Sequence, residues 1–262
     1  MKRRANTGRV GLGVLAAAIS VGVAVLWWNA WPGLAGSRRA SAPDPETVVL
    51  LHGLGRGPNS MAILGDRIED GGYRVVSIGY PSIEKPPEEL VAHVKAEVAA
   101  CCAEHAPLHF VTYSLGGLIV RAAYSQEAPP GGGRVVMLGP PNAGSPLVDE
   151  FGGWPLFRWL GPTAAQLGTE HASFPNRLGP PPFEVGVIAG TRDNPVGSQL
   201  IQAPSDGTVP VESARLEGMQ DFITVHHSHT FLMRSETVAA ETLHFLEHGR
   251  FSSEASRPET SP

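Results

Sequence analysis

The sequence predicts an α/β domain: a mostly parallel sheet with helices on both faces, preceded by an N-terminal transmembrane helix. Three observations predict it. Short continuous apolar runs such as Thr47–Leu51 (TVVLL) alternate with longer stretches of helical period, the pattern of buried strands joined by crossover helices. Gly-, Asp- and His-bearing loops follow those runs, where parallel sheets gather their chemistry. Finally, Lys2, Arg3, Arg4 and Arg9 precede an uncharged run of 19 residues, Val10–Trp28.

As a helix that run would extend roughly 28 Å at about 1.5 Å per residue, close to a hydrocarbon core of about 30 Å. Trp27, Trp28 and Trp31 sit where the chain would leave the bilayer, as interfacial aromatics do. The positive-inside rule then puts the N-terminus in the cytoplasm and the rest on the periplasmic or extracellular side. Residues 1–42 are thus expected to be a signal anchor and linker. Cleavage near Ala40-Ser41-Ala42 would instead give a secreted protein. Residues 43–251 form the globular body, and 252–262 (SSEASRPETSP) a disordered tail.

Within the body, Thr47–Leu51 is the first strand. His52-Gly53-Leu54-Gly55-Arg56-Gly57 turns the chain, and Ser60–Asp70 is helical. Tyr73–Ile78 is the second strand. Pro86–Glu104 is a helix started by its prolines, with Leu90, Val94 and Val98 at i+4 spacing. His109–Thr112 is the third strand, and Leu115–Tyr124 a helix with Leu115, Leu118, Ile119 and Ala122 on one face. Val135–Leu138, Val185–Ala189 and Phe222–Val225 are the remaining strands, and Ser235–His248 the last helix.

Composition excludes several classes. With 42% apolar and 17% charged residues, the chain is not disordered throughout. The net charge is −5, but residues 1–42 hold six Lys/Arg and no acid, which leaves 14 basic against 25 acidic residues for the rest. An acidic body without a basic cluster is a poor nucleic-acid binder. The two cysteines are adjacent, Cys101 and Cys102, so they neither staple distant segments nor make a zinc site. Adjacent side chains on a helix diverge, so both are expected to be small buried residues rather than a disulfide. No cofactor and no metal is expected, because three histidines in His226-His227-Ser228-His229 do not converge readily from one loop.

The loops after the strands carry the chemistry. Thr112-Tyr113-Ser114-Leu115-Gly116-Gly117 places Ser114 on a tight strand-to-helix turn, which exposes its hydroxyl above the sheet at a helix N-terminus. The glycine that usually opens such a turn is here Thr112. The turn after the first strand aims backbone N–H groups, so Leu54 and Leu115 are candidate oxyanion donors; His52 is expected to brace that loop. A serine nucleophile needs a base, and the base an orienting carboxylate. Asp206, in Ser205-Asp206-Gly207-Thr208, follows the fifth strand, and His229 follows the last. Ser114…Asp206…His229 is the chain order of one known fold. Asp193 rivals Asp206 but reads better as a turn residue before Asn194-Pro195, and His226 and His227 rival His229.

On VVLLHGLG, FVTYSLGG, VMLGPPNAGS, SDGTVPVES and SHTF, the region from Thr47 to Phe251 resembles the α/β-hydrolase serine esterases and lipases. The resemblance implies that Ser114 is the nucleophile, Asp206 the acid and His229 the base, with Leu54 and Leu115 forming the oxyanion hole. It implies cleavage of a carboxylic ester, small or lipid, through an acyl-enzyme. An acyltransferase using the same triad, or a non-catalytic binding member of the fold, are the alternatives. Residues 140–182 interrupt the alternation as a lid or insertion. Its Phe151–Leu160 stretch (FGGWPLFRWL) has six large apolar residues in ten, among them Trp154, Phe157 and Trp159. These would line an acyl pocket; alternatively they form a small satellite core, or meet a membrane.

Overall fold

A computed structural model describes residues 45–102, 107–155, 157–194, 197–201 and 203–252. The expected anchor and most of the expected tail lie outside them. Among the described residues no helix is long and apolar enough to cross a membrane.

Six strands form one sheet in the order β2-β1-β3-β4-β5-β6: β1 Thr47–Leu51, β2 Arg74–Ile78, β3 Leu108–Tyr113, β4 Val135–Leu138, β5 Val185–Gly190 and β6 Asp221–Val225. Every neighbouring pair is parallel. The helices are α1 Ala62–Asp70, α2 Pro87–Cys102, α3 Leu115–Ala123, α4 Pro146–Phe151, α5 Gly161–Ala164, α6 Phe174–Arg177, α7 Gly197–Leu200, α8 Val211–Ala214 and α9 Glu236–His248.

β1 and β3 to β5 are buried along their whole length, which explains why they read as unbroken apolar runs rather than alternating ones. Successive side chains still divide between two faces. Val49, Leu51 and Phe110 pack with Leu90 and Val94 of α2 and Leu118 and Ile119 of α3. Val48, Leu50 and Val111 pack with Leu64 and Ile68 of α1 and Val238, Phe245 and Leu246 of α9. Each fully buried aliphatic or aromatic side chain stabilises the body by about 1.5–3 kcal/mol against leaving it in water. Because all strands run the same way, their C-terminal ends share one edge, and the candidate loops meet there.

Two expectations need correction. Cys101 and Cys102 are joined by a disulfide, with Cα atoms 3.7 Å apart. They lie at the C-terminal end of α2, where the pair bridges back on itself and staples nothing distant. Ser252 is not part of a free tail: its N–H and Oγ–H donate to the two carboxylate oxygens of Glu241 at 2.7 and 2.5 Å. The neighbouring Phe251 N–H donates to Asp221 at 2.7 Å.

Candidate active site

One residue separates β3 from α3, and that residue is Ser114. Its φ of 53° and ψ of −118° lie where L-residues are strained. Among the described residues it is the only non-glycine with positive φ. Packing imposes this conformation. A Cβ on Gly116 would stand 2.5 Å from Leu51 O, and one on Gly53 would stand 2.8 Å from the Tyr113 ring and 3.2 Å from Ser114 Cβ. Only glycines let the two turns approach so closely. Thr112, in place of the usual glycine, is fully buried and donates its hydroxyl to Val136 O at 3.3 Å. The sharp turn forms without the glycine.

Asp206 is 1% exposed, in the loop after β5. Its Oδ1 accepts the N–H groups of Thr208 and Val209 at 3.0 and 2.8 Å, which aims Oδ2 the other way, at His229 Nδ1, 2.6 Å off. The His229 backbone N–H also donates to Asp206 O at 2.9 Å, so the two loops are tied twice. Across the ring, His229 Nε2 lies 3.1 Å from Ser114 Oγ. His229 as a residue is 9% exposed, and its ring sits 5.0 Å from the Tyr113 ring, tilted by 40°. Thus Ser114, His229 and Asp206 form a continuous chain of hydrogen-bonding atoms, the geometry in which an imidazole can take a hydroxyl proton while a carboxylate fixes its tautomer.

The rival residues are engaged elsewhere. Asp193 Oδ1 accepts the N–H of Asn194 at 2.8 Å, a turn contact. His227 Nε2 meets Ser235 Oγ at 2.9 Å; Ser235 in turn caps α9 by accepting the N–H of Val238. His226 is exposed and reaches Thr191 Oγ1 at 3.5 Å.

Leu54 follows Gly53 in the turn after β1, and Leu115 opens α3, so the two candidate N–H donors belong to the turns that Gly116 brings into contact. His52 holds its turn from inside. Its Nδ1 is 2.9 Å from Gly53 O, and its Nε2 accepts the Tyr80 N–H at 3.3 Å. The Tyr80 hydroxyl donates to His52 O, and the two rings stack 4.1 Å apart. Burial pulls His52 down to about 4, against a weaker opposing bond to Gly53, so the ring is neutral at neutral pH. The same burial pushes the Tyr80 and Tyr113 phenols upward.

Trp154, Phe157 and Trp159 do not form the core of the insertion. Trp154 and Trp159 are 46% and 81% exposed and Phe157 is half-buried, whereas Ala164, Leu167, Phe174 and Phe183 are buried. Trp154 meets Phe151 edge-on, and α5 packs down onto the loop after β2 through a Thr163 hydroxyl bond to Lys85 O at 2.6 Å. Sequence reasoning missed two contributors. Gly139, just after β4, has φ of 54°, and a Cβ there would lie 3.1 Å from both Asp206 Oδ2 and His229 Nδ1. Tyr80 is the second. A glycine directly after a buried strand was the available signal for the first; nothing local marked the second.

No family model matches this chain, and no curated protein matches it. Solved structures do. The mature lipase BlEst2 of Bacillus licheniformis superposes with a TM-score of 0.65 at 20% identity, over 82% of this chain and 96% of that one. Phospholipase PlaB of Legionella pneumophila gives 0.61 at 16% identity, over 80% and 61%. A metagenomic carboxyl esterase gives 0.57 at 18% identity, over 78% and 70%. At such identities the likeness speaks to architecture. With its all-parallel sheet, its sharp turn after β3 and these superpositions, the chain has the α/β-hydrolase fold.

Proposed function

We propose that the protein is a serine hydrolase that cleaves carboxylic esters. The observation that carries this reading is the chain of atoms from Ser114 Oγ to His229 Nε2, 3.1 Å, and from His229 Nδ1 to Asp206 Oδ2, 2.6 Å. Ser114 Oγ attacks the acyl carbon as His229 takes its proton. Asp206 stabilises the imidazolium, and the N–H groups of Leu54 and Leu115 receive the negative charge on the carbonyl oxygen. His229 returns the proton to the leaving alcohol. Water, deprotonated by His229, then releases the acid from the acyl-enzyme. Similarity in fold to a lipase, a phospholipase and an esterase supports an ester or lipid substrate. Trp154, Phe157 and Trp159 are proposed to meet its apolar part, and residues 1–42 to hold the body at the outer face of a membrane.

The test is covalent labelling of the protein by a fluorophosphonate, alongside a chain-length series of p-nitrophenyl esters. Wild type is expected to be labelled and to turn over at least part of the series, and Ser114→Ala to do neither. Full labelling of Ser114→Ala would overturn the assignment.

A further inference from the structure

Arg121 lies on α3 seven residues after Ser114 and is 5% exposed. Among the described residues no carboxylate is a hydrogen-bond partner of its guanidinium. Its Nε donates to Gly179 O at 3.1 Å, and one terminal nitrogen donates to Asn142 O and Asn142 Oδ1 at 3.1 and 3.3 Å. The other terminal nitrogen donates to Leu178 O. Asn142 is itself 4% exposed, and its Nδ2 donates to Ala214 O, the last residue of α8, at 2.9 Å. α8 closes the Asp206 loop. The Val211 N–H donates to Pro204 O at 2.9 Å, and Ser205 and Pro210 pair across the loop. Two further bonds run the same way: Ala143 N–H to Ser213 O at 2.9 Å, and Ser145 Oγ to Thr208 O at 2.7 Å. Thr208 is one of the two residues whose N–H fixes Asp206 Oδ1.

We propose that Arg121 and Asn142 are positioning residues that set the Asp206 loop, and through it His229, against the helix that carries Ser114. The inference rests on the triad reading above and deepens it. A buried guanidinium without a carboxylate is a poor stabiliser, because desolvating it costs more than neutral carbonyls return. Its contribution is direction. A planar fork holds several acceptors at fixed angles, and here they lie at both ends of the insertion. Asn142 passes that register on, one amide group to α3 and the other to α8. Catalytic atoms misplaced by about 1 Å can lose on the order of 10²-fold in rate, so such a coupling acts on kcat rather than on substrate affinity.

The decisive variant is Asn142→Asp. It keeps an acceptor for Arg121 and loses the donor to Ala214, so the Asn142 link to α8 is removed while the Ala143–Ser213 and Ser145–Thr208 bonds hold the segment in place. With p-nitrophenyl butyrate, kcat should fall roughly 10- to 100-fold with KM within about 3-fold. In protein carrying nitrogen-labelled histidine, the His229 Nδ1 proton should move away from its wild-type shift. Arg121→Met should show both changes; if it does not fold, Asn142→Asp decides alone. An unmoved His229 Nδ1 proton in folded Asn142→Asp overturns the inference, whatever kcat does. A wild type that neither turns over esters nor labels with a fluorophosphonate overturns the proposed function instead, and the histidine shift still decides the coupling.

Discussion

The sheet carries a buried histidine against a carboxylate at each of its ends. At the C-terminal edge, His229 Nδ1 is 2.6 Å from Asp206. At the N-terminal edge, His109, near the start of β3, has Nε2 3.0 Å from Glu46. The pairing is alike; the second nitrogen differs. His109 Nδ1 accepts the Arg134 N–H at 2.9 Å, so both ring nitrogens are committed to holding strands together. His229 Nε2 faces a hydroxyl. The carboxylates differ too: the Asp206 side chain is 1% exposed and held by two backbone N–H groups, while the Glu46 side chain is 48% exposed. A histidine–carboxylate pair becomes a candidate for catalysis when its outer nitrogen is left to a nucleophile and its carboxylate is fixed. Strand polarity decides which end offers both, because the tight turn into a helix follows the C-terminal end.

The sharpest way to break the comparison is to truncate both histidines. His229→Ala should lower kcat for ester hydrolysis by roughly 10³-fold or more. His109→Ala should leave kcat within about 2-fold while lowering stability by about 1–3 kcal/mol in urea unfolding. Equal losses of kcat would erase the distinction. Next in size is Gly139→Ala, which pushes a methyl against Asp206 and His229 at a positive φ. A loss of about 10- to 100-fold in kcat is expected, larger than its effect on the urea midpoint.

A third histidine sharpens the contrast through pH. His52 is held down to about 4 by burial, and burial also lowers His109 despite the opposing Glu46. The unfolded chain therefore binds more protons than the folded one below about pH 6.5. Stability is fully present above that pH and is lost as pH falls toward about 4, the lower limit set by His52. Urea midpoints measured from pH 7 to pH 4 should decline, and His52→Asn should decline less steeply. A parallel decline in the variant would remove His52 from the account. The smallest effect is expected of Glu46→Gln: its half-exposed carboxylate should contribute under about 1 kcal/mol, read as a slight shift in the thermal midpoint.

The strands and their order along the chain were legible because burial on both faces forces continuous apolar runs, and each run ended within a residue or so of its observed limit. The convergence of Ser114, Asp206 and His229 was legible for a related reason. In a parallel sheet, residues just past the ends of different strands must meet. Other features were hidden by the nature of their partners. Arg121 was not singled out, since most of its acceptors are main-chain carbonyls of distant loops that no side-chain pattern announces. Tyr80 is tied to His52 across 28 positions of sequence. The Cys101–Cys102 bond was misread because divergence of adjacent helical side chains was applied to the last residues of a helix.

The strained backbone of Ser114 sets selection for durability against selection for activity at a single codon. Glycine accepts a φ of 53° without penalty, so Ser114→Gly should raise the unfolding free energy by an amount on the order of 1 kcal/mol, while abolishing the proposed reaction. Drift under a demand for thermal endurance alone would empty this position of its hydroxyl.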